Sequence, residues 1–164
     1  MIPVLYVDDD LELLEICTLF FERTGDIEID TASSVPDPIE KMASCTYECI
    51  ISDYQMPGMN GIRFLKELRS SGNTIPFILF TSYDDDDSVK EEAYRHGVFS
   101  IVGKNSAGKN AIHSLIRTVY WAVLYGKDSK RPGCLGPDTH LGRQEDNYEK
   151  KPKEIDGESI RSET

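Results

Sequence analysis

The sequence predicts an α/β fold, a doubly wound five-stranded parallel sheet with helices on both faces. Three observations carry this. Five short apolar runs alternate strictly with five helical patterns. The runs are apolar throughout instead of alternating with polar residues, which fits strands buried on both faces. Four of the runs stop at acids, at a hydroxyl pair or just before a lysine, and sheets of this kind place their ligand site beyond the carboxyl ends of the strands.

The elements follow in order. "IPVLYV" (2–7) is rich in β-branched residues, is bounded by acids and reads as a buried strand. "LELLEICTLFFERTG" (11–25) repeats apolar residues at helical spacing, with Asp10 as N-cap and Gly25 at its end. "IEIDTA" (27–32) is a second strand. "SSVPDPIEKMAS" (33–44) has cap candidates and early prolines, which a first helical turn tolerates. "YECIISD" (47–53) is a third strand. Asn60 caps "GIRFLKELRSSG", whose Ile62, Leu65 and Leu68 share one face. "IPFILF" (75–80) is a fourth strand. "SVKEEAYRHG" (88–97) carries a capping-box pattern, Ser88 with Glu91, and a closing glycine. "VFSIVG" (98–103) is the fifth strand, and 106–126 the longest helix. On that helix Trp121 and Tyr125 lie on a face away from the Ile112/Leu115/Val119 stripe. Partial burial at the helix end is expected for them, with a docking patch as the alternative.

The formal charge of −11 argues against a nucleic-acid-binding surface, which needs a basic patch. Residues 1–126 hold 10 Lys/Arg against 20 Asp/Glu, so the excess acid belongs to this part. Cys17, Cys45, Cys49 and Cys134 form no CxxC pair and have no histidine at zinc-ligand spacing, which suggests reduced thiols in a cytoplasmic protein. The N-terminus reaches acid after seven residues, too few for a signal peptide, and no run approaches the length of a membrane span. Residues 127–164 are rich in Pro, Gly and charge and are expected to be disordered.

The strand ends hold the chemistry. The first run stops at Asp8-Asp9-Asp10, the third at Asp53, the fourth at Thr81-Ser82, and the fifth just before Lys104. Crowded carboxylates raise one another's pKa unless a cation intervenes. Hard carboxylate oxygens suit Mg²⁺, especially beside a phosphate, and an aspartate can accept a phosphoryl group. A lysine and a hydroxyl opposite can bind that group's oxygens. Asp10 reads as a cap, and Asp84–Asp87 as a solvated loop favouring the following helix. His96, His113 and His140 are expected at the surface. "GKNSAGK" (103–109) lacks the spacing of a phosphate loop.

"VDDD…ISDYQMPGMNG…FTS…GK" resembles the receiver domain of two-component response regulators, in its stand-alone, chemotaxis-regulator-like form. The resemblance covers about residues 2–125 and implies a flavodoxin-like (βα)5 fold in a receiver domain over 1–126. It implies Asp53 as phosphoacceptor, with Asp8, Asp9 and the Gln55 backbone carbonyl completing a Mg²⁺ site. Thr81, with Ser82 beside it, corresponds to the switch hydroxyl and Lys104 to the phosphate-binding lysine. The implied function is phosphorelay signalling. A sensor histidine kinase phosphorylates Asp53, and the resulting change of conformation is read by a downstream protein. Catalysis is then confined to the domain's own phosphorylation and dephosphorylation. Gln55 and Tyr83 flank the approach to Asp53 and are expected to set the phosphoryl lifetime, with Tyr83 as a shield.

Two positions depart from the family pattern. Asn105 follows Lys104 where the family usually has a cis-proline, so a trans bond is expected. Ile101 stands where the family tends to have an aromatic residue, with Phe99 expected on the same strand face. A phosphatase of the haloacid dehalogenase type would share the Asp8-x-Asp10 pattern, but no acid follows Lys104 until Asp128. A receiver-like module that is never phosphorylated is opposed by the complete set of acids, Thr81 and Lys104.

Overall fold

A computed structural model describes residues 1–34, 37–105 and 109–126. Its elements are β1 (Ile2–Val7), α1 (Leu11–Glu22), β2 (Ile27–Ala32), α2 (Asp37–Ser44), β3 (Cys49–Ser52), α3 (Gly61–Ser70), β4 (Phe77–Thr81), α4 (Asp87–Arg95), β5 (Ser100–Gly103) and α5 (Lys109–Tyr125). The five strands form one sheet in the order β2-β1-β3-β4-β5, and every pairing is parallel. This is the doubly wound parallel sheet that the alternation predicts, in the flavodoxin-like form that the resemblance implies. The order reverses between β1 and β3, and that switch point opens a crevice beyond the ends of those two strands.

Side chains alternate between two cores. Val4 and Tyr6 of β1, Cys49 and Ile51 of β3, and Ile78 and Phe80 of β4 face α1 and α5. Leu5, Val7, Ile50, Phe77 and Leu79 face α3 and α4. Each fully buried side chain of this size stabilises the fold by roughly 1.5–3 kcal/mol, so the apolar runs suffice to fix register. A one-residue slip would exchange the two cores.

The helix caps explain where helices begin. The Asp10 carboxylate accepts the Leu13 N–H at 3.0 Å, and the Asn60 side chain accepts the Arg63 N–H at 2.8 Å, as the sequence predicts. At α4 the sequence reading is corrected. The cap is Asp86, whose carboxylate accepts from the Ser88 N–H at 2.9 Å and from the Ser88 hydroxyl at 2.6 Å. An ionised acceptor at a helix N-terminus outcompetes a hydroxyl, and Glu91 instead pairs with Arg95 along the helix at 2.7 Å.

Three further corrections concern side-chain placement. Phe99 and Ile101 lie on opposite faces, Phe99 against α1 and α5 and Ile101 against the α3/α4 core. Phe99 sits in a bend before β5, so strand alternation does not reach it. Trp121 and Tyr125 stack edge to face at 6.0 Å but are exposed, not partly buried, because α5 buries a different face, that of Leu115, Val119 and Ala122. In the acidic run Asp85, Asp86 and Asp87 are solvated, while Asp84 is half-buried. It rests over Gly103, where an added Cβ would strike its carboxylate.

The described strands start later than the sequence suggests at β3, β4 and β5. Before β4, Pro76 has no N–H for the ladder. His113 is exposed against Phe20, and His96 is half-buried at the end of α4. Cys17 and Cys49 are buried, Cys45 is exposed, and none of the three is bridged. Among the described residues no peptide bond is cis, so Lys104–Asn105 is trans. No described helix is long and apolar enough to cross a membrane. The expectations for residues 106–108, for Cys134 and His140, and for a disordered 127–164 lie outside the described residues.

Candidate functional site

Parallel pairing brings the strand ends together. The Asp8 N–H donates to the Ala32 carbonyl at 3.0 Å, the Asp53 N–H to Val7 at 2.8 Å, and the Lys104 N–H to Thr81 at 2.9 Å. These ladder bonds fix three backbones one step beyond their strands, and their side chains converge. Lys104 Nζ lies 2.8 Å from Asp8 Oδ2 and 2.8 Å from Asp53 Oδ1. A single ammonium thus bridges two carboxylates from different strands, above the face of the Phe80 ring at 5.6 Å.

Burial makes this bridge strong. Asp8 is fully buried and Asp53 is 6% exposed. Leaving either charge unpaired at that depth would cost several kcal/mol. Burial holds the Asp53 carboxyl above the ordinary carboxylate range, with Lys104 opposing and Asp8 reinforcing that shift. Burial alone would lower the Lys104 ammonium, but its bonds to Asp53 and Asp8 outweigh this and hold it raised and charged. Asp53 Oδ2 also accepts the Gln55 N–H at 2.7 Å.

Carboxylate oxygens of Asp8, Asp9 and Asp53 all lie within 4.8 Å of one another, with Asp9 exposed at the mouth. Hard oxygen donors at this spacing, open to water on one side, fit a divalent cation such as Mg²⁺. Asp9, Asp53, Gln55, Ser82, Tyr83 and Lys104 line an open cavity of about 610 Å³ over them.

Thr81 is placed differently from the rest. Its side chain is fully buried at the end of β4, and its hydroxyl oxygen accepts the Tyr83 N–H at 3.1 Å. Ser82 beside it is exposed on the cavity wall. The Tyr83 hydroxyl donates to Gln55 Oε1 at 2.8 Å, and its ring meets Tyr54 edge to face at 5.5 Å. The loops after β3 and β4 are thereby tied together beside the cavity. Asn105, in the usual proline position, donates its side-chain amide to the Ser82 carbonyl at 2.9 Å and links the β5 loop to the β4 loop.

Sequence reasoning missed one member. The Tyr6 hydroxyl donates to Asp8 Oδ2 at 2.7 Å from within the core. The available signal was an aromatic residue with a polar tip two positions before a strand-end acid, on the same face. It also missed Gly61, whose small size lets α3 approach the backbone of Asp53.

The profile of the response regulator receiver domain matches residues 4–117. Among curated proteins the chain is 34% identical over 86 residues to the transcriptional regulatory protein CpxR homolog of Haemophilus influenzae. That match covers 52% of this chain and 37% of that protein. It is 30% identical over 138 residues to the DNA-binding transcriptional regulator NtrC of Escherichia coli, with 82% and 28% covered. The chain thus spans about a third of the length of these relatives. Among solved structures, the receiver domain of the Francisella response regulator 1452 superimposes with a TM-score of 0.68 at 26% identity, covering 76% of this chain and 98% of that one. The response regulator domain of Thermotoga maritima CheB gives 0.69 at 22%, covering 76% and 97%.

Proposed function

The chain belongs to the response regulator receiver domain family, and from that membership we propose that Asp53 accepts a phosphoryl group from a sensor histidine kinase and passes the signal to a downstream protein by a change of conformation. The observation that carries this is the Lys104 bridge between Asp8 and Asp53 at the mouth of an acid-lined cavity. Residues 1–126 are proposed as the receiver domain, in a cytoplasmic protein that binds neither nucleic acid nor membrane and catalyses only its own phosphorylation and dephosphorylation.

In the reaction an Asp53 carboxylate oxygen attacks phosphorus. The new O–P bond forms as the bond to the donor breaks, and the departing electron pair goes to the histidine nitrogen or, with acetyl phosphate, to acetate. Lys104 has three donors, two of them on Asp8 and Asp53, which leaves a third N–H for a phosphoryl oxygen. Asp8, Asp9, Asp53 and the Gln55 carbonyl would hold Mg²⁺, which supplies positive charge to the transferring group. Thr81, at the end of β4, would draw the following loop toward the phosphoryl group, with Ser82 on the cavity wall.

Incubation with acetyl phosphate and Mg²⁺ tests this reading by intact mass. The protein should gain one acid-stable, base-labile phosphoryl group, mapped to Asp53. Continuous turnover of phosphomonoesters would point to a phosphatase, and no modification at all would mean a receiver-like module that is not phosphorylated.

The lifetime of the phosphoryl group should depend on Tyr83. Hydrolysis needs an in-line water, and the Tyr83–Gln55 hydrogen bond both covers the approach and occupies the Gln55 amide oxygen that could orient that water. We expect Tyr83→Ala to shorten the phosphoryl half-life roughly threefold to tenfold, the kinetic equivalent of a hydrogen bond worth about 1 kcal/mol. Following decay of the phosphorylated protein in Mg²⁺ buffer checks it. A half-life that is unchanged or longer would rule out the shield.

A further inference from the structure

We infer that Tyr6 is a positioning residue for the metal-holding carboxylate of Asp8, an inference that rests on the proposed Mg²⁺-dependent phosphoacceptor site. Tyr6 is fully buried near the C-terminal end of β1, packed beside Phe80 with ring centroids 6.3 Å apart. The strand pleat puts Val4, Tyr6 and Asp8 on one face, so the phenol reaches Asp8 from the core side, opposite the cavity. Its hydroxyl donates to Oδ2 at 2.7 Å. Burial and the adjacent carboxylate raise the phenol well above its ordinary pKa and keep it neutral, with its proton available to donate.

The reason Asp8 needs this partner is a count of lone pairs. An ionised carboxylate offers about four acceptor sites. In Asp8, Oδ1 accepts the Asp10 N–H at 3.1 Å, while Oδ2 accepts from Tyr6 and from Lys104 at 2.8 Å. One site remains for a cation. Of these three partners only Tyr6 is a neutral side chain anchored in the core. Asp10 belongs to the capping turn, and Lys104 is shared with Asp53. Without the phenol, Oδ2 has only the ammonium and turns toward it, and the carboxylate loses the orientation that leaves a lone pair toward Asp9 and Asp53. Mg²⁺ tolerates little departure from its preferred geometry. Hydrogen-bond partners behind a metal ligand typically govern affinity by ten- to hundredfold.

Tyr6→Phe removes the hydroxyl and keeps the ring, so it isolates the contact from the packing. By isothermal titration calorimetry we expect its Mg²⁺ dissociation constant to rise by about tenfold or more. Labelling by acetyl phosphate should slow at low Mg²⁺ and return close to the wild-type rate at saturating Mg²⁺. A purely structural role would lower the melting temperature and leave the Mg²⁺ constant where it was, and a constant within about twofold of wild type overturns the inference. Labelling that stays slow at saturating Mg²⁺ also overturns it. Should the variant not fold, carbon-13 spectra of tyrosine-labelled wild-type protein give the answer. The Tyr6 resonance should move as Mg²⁺ is added, and a resonance that stays still while Mg²⁺ binds refutes the coupling. Wild-type protein that binds no Mg²⁺ would remove both this inference and the proposed function. Wild-type protein that binds and labels beside an unaffected Tyr6→Phe removes this inference alone.

Discussion

Asp53→Asn is expected to take up no phosphoryl group from acetyl phosphate while keeping its fold. Asp9, the other carboxylate on the cavity wall, is exposed and lacks the lysine that positions Asp53, and Asp8 lies buried behind it with three hydrogen-bond donors on its oxygens. Neither is placed to substitute. An amide in place of Asp53 can still accept from Lys104 or from the Gln55 N–H, and Lys104 keeps Asp8. The stability change follows from the sign of the Asp53 shift. Its folded-state pKa is raised, chiefly by burial. Ionised Asp53 therefore costs the fold stability above that pKa, and the cost vanishes as pH falls below the ordinary carboxylate range. The variant, neutral at every pH, should melt no lower than wild type at pH 7, with the difference narrowing in acid. The measurements are intact mass after acetyl phosphate treatment and a thermal melt at two pH values. Labelling of Asp53→Asn at the wild-type rate would falsify the phosphoacceptor assignment.

How much of this was legible in the sequence depends on the range of the interaction concerned. Asp8, Asp53, Thr81 and Lys104 stand where apolar runs stop, and parallel pairing alone brings such ends together. Asp10 and Asn60 were legible because capping is settled within four residues. Ser88 was misread because two cap candidates stood two residues apart, and the choice turned on which side chain the loop delivers. Phe99 was misread because a bend breaks the alternation that a run of apolar letters conceals. Tyr6 was read as a strand hydrophobe, since nothing local says that a phenol meets a carboxylate. Its role needs both the parity of β1 and the depth of Asp8.

Gly61 belongs with Tyr6 as a residue whose meaning is tertiary, and Gly61→Ala should cause the largest loss of stability among single-methyl changes near the site. Gly61 opens α3 directly after the Asn60 cap, is buried, and donates its N–H to the Tyr54 carbonyl at 2.8 Å. A Cβ there would collide with the Asp53 carbonyl oxygen, while standing 3.1 Å from the Asp53 carbonyl carbon and 2.9 Å from Leu79 Cδ1. Leu79 can rotate, but the Asp53 backbone is held by its bond to Val7 and cannot retreat without pulling β3 off β1. Alanine gains up to about 1 kcal/mol over glycine in helix propensity, less at a first helical position. Overpacking against fixed backbone costs typically 1–3 kcal/mol, occasionally more. The clash wins, and a net loss of about 2–3 kcal/mol should lower the melting temperature by roughly 10 °C in a domain of this size. Because the strained atom is the carbonyl of Asp53, the proposed phosphoacceptor, labelling of the folded fraction should slow as well. Gly25→Ala provides the comparison, since its added Cβ meets nothing within 4 Å and bears only the strain of a φ of +79°. That variant should lose about 1–2 kcal/mol and label normally. Equal melting temperatures for the two would show that α3 shifts to admit the methyl group, and that its close approach does not fix Asp53.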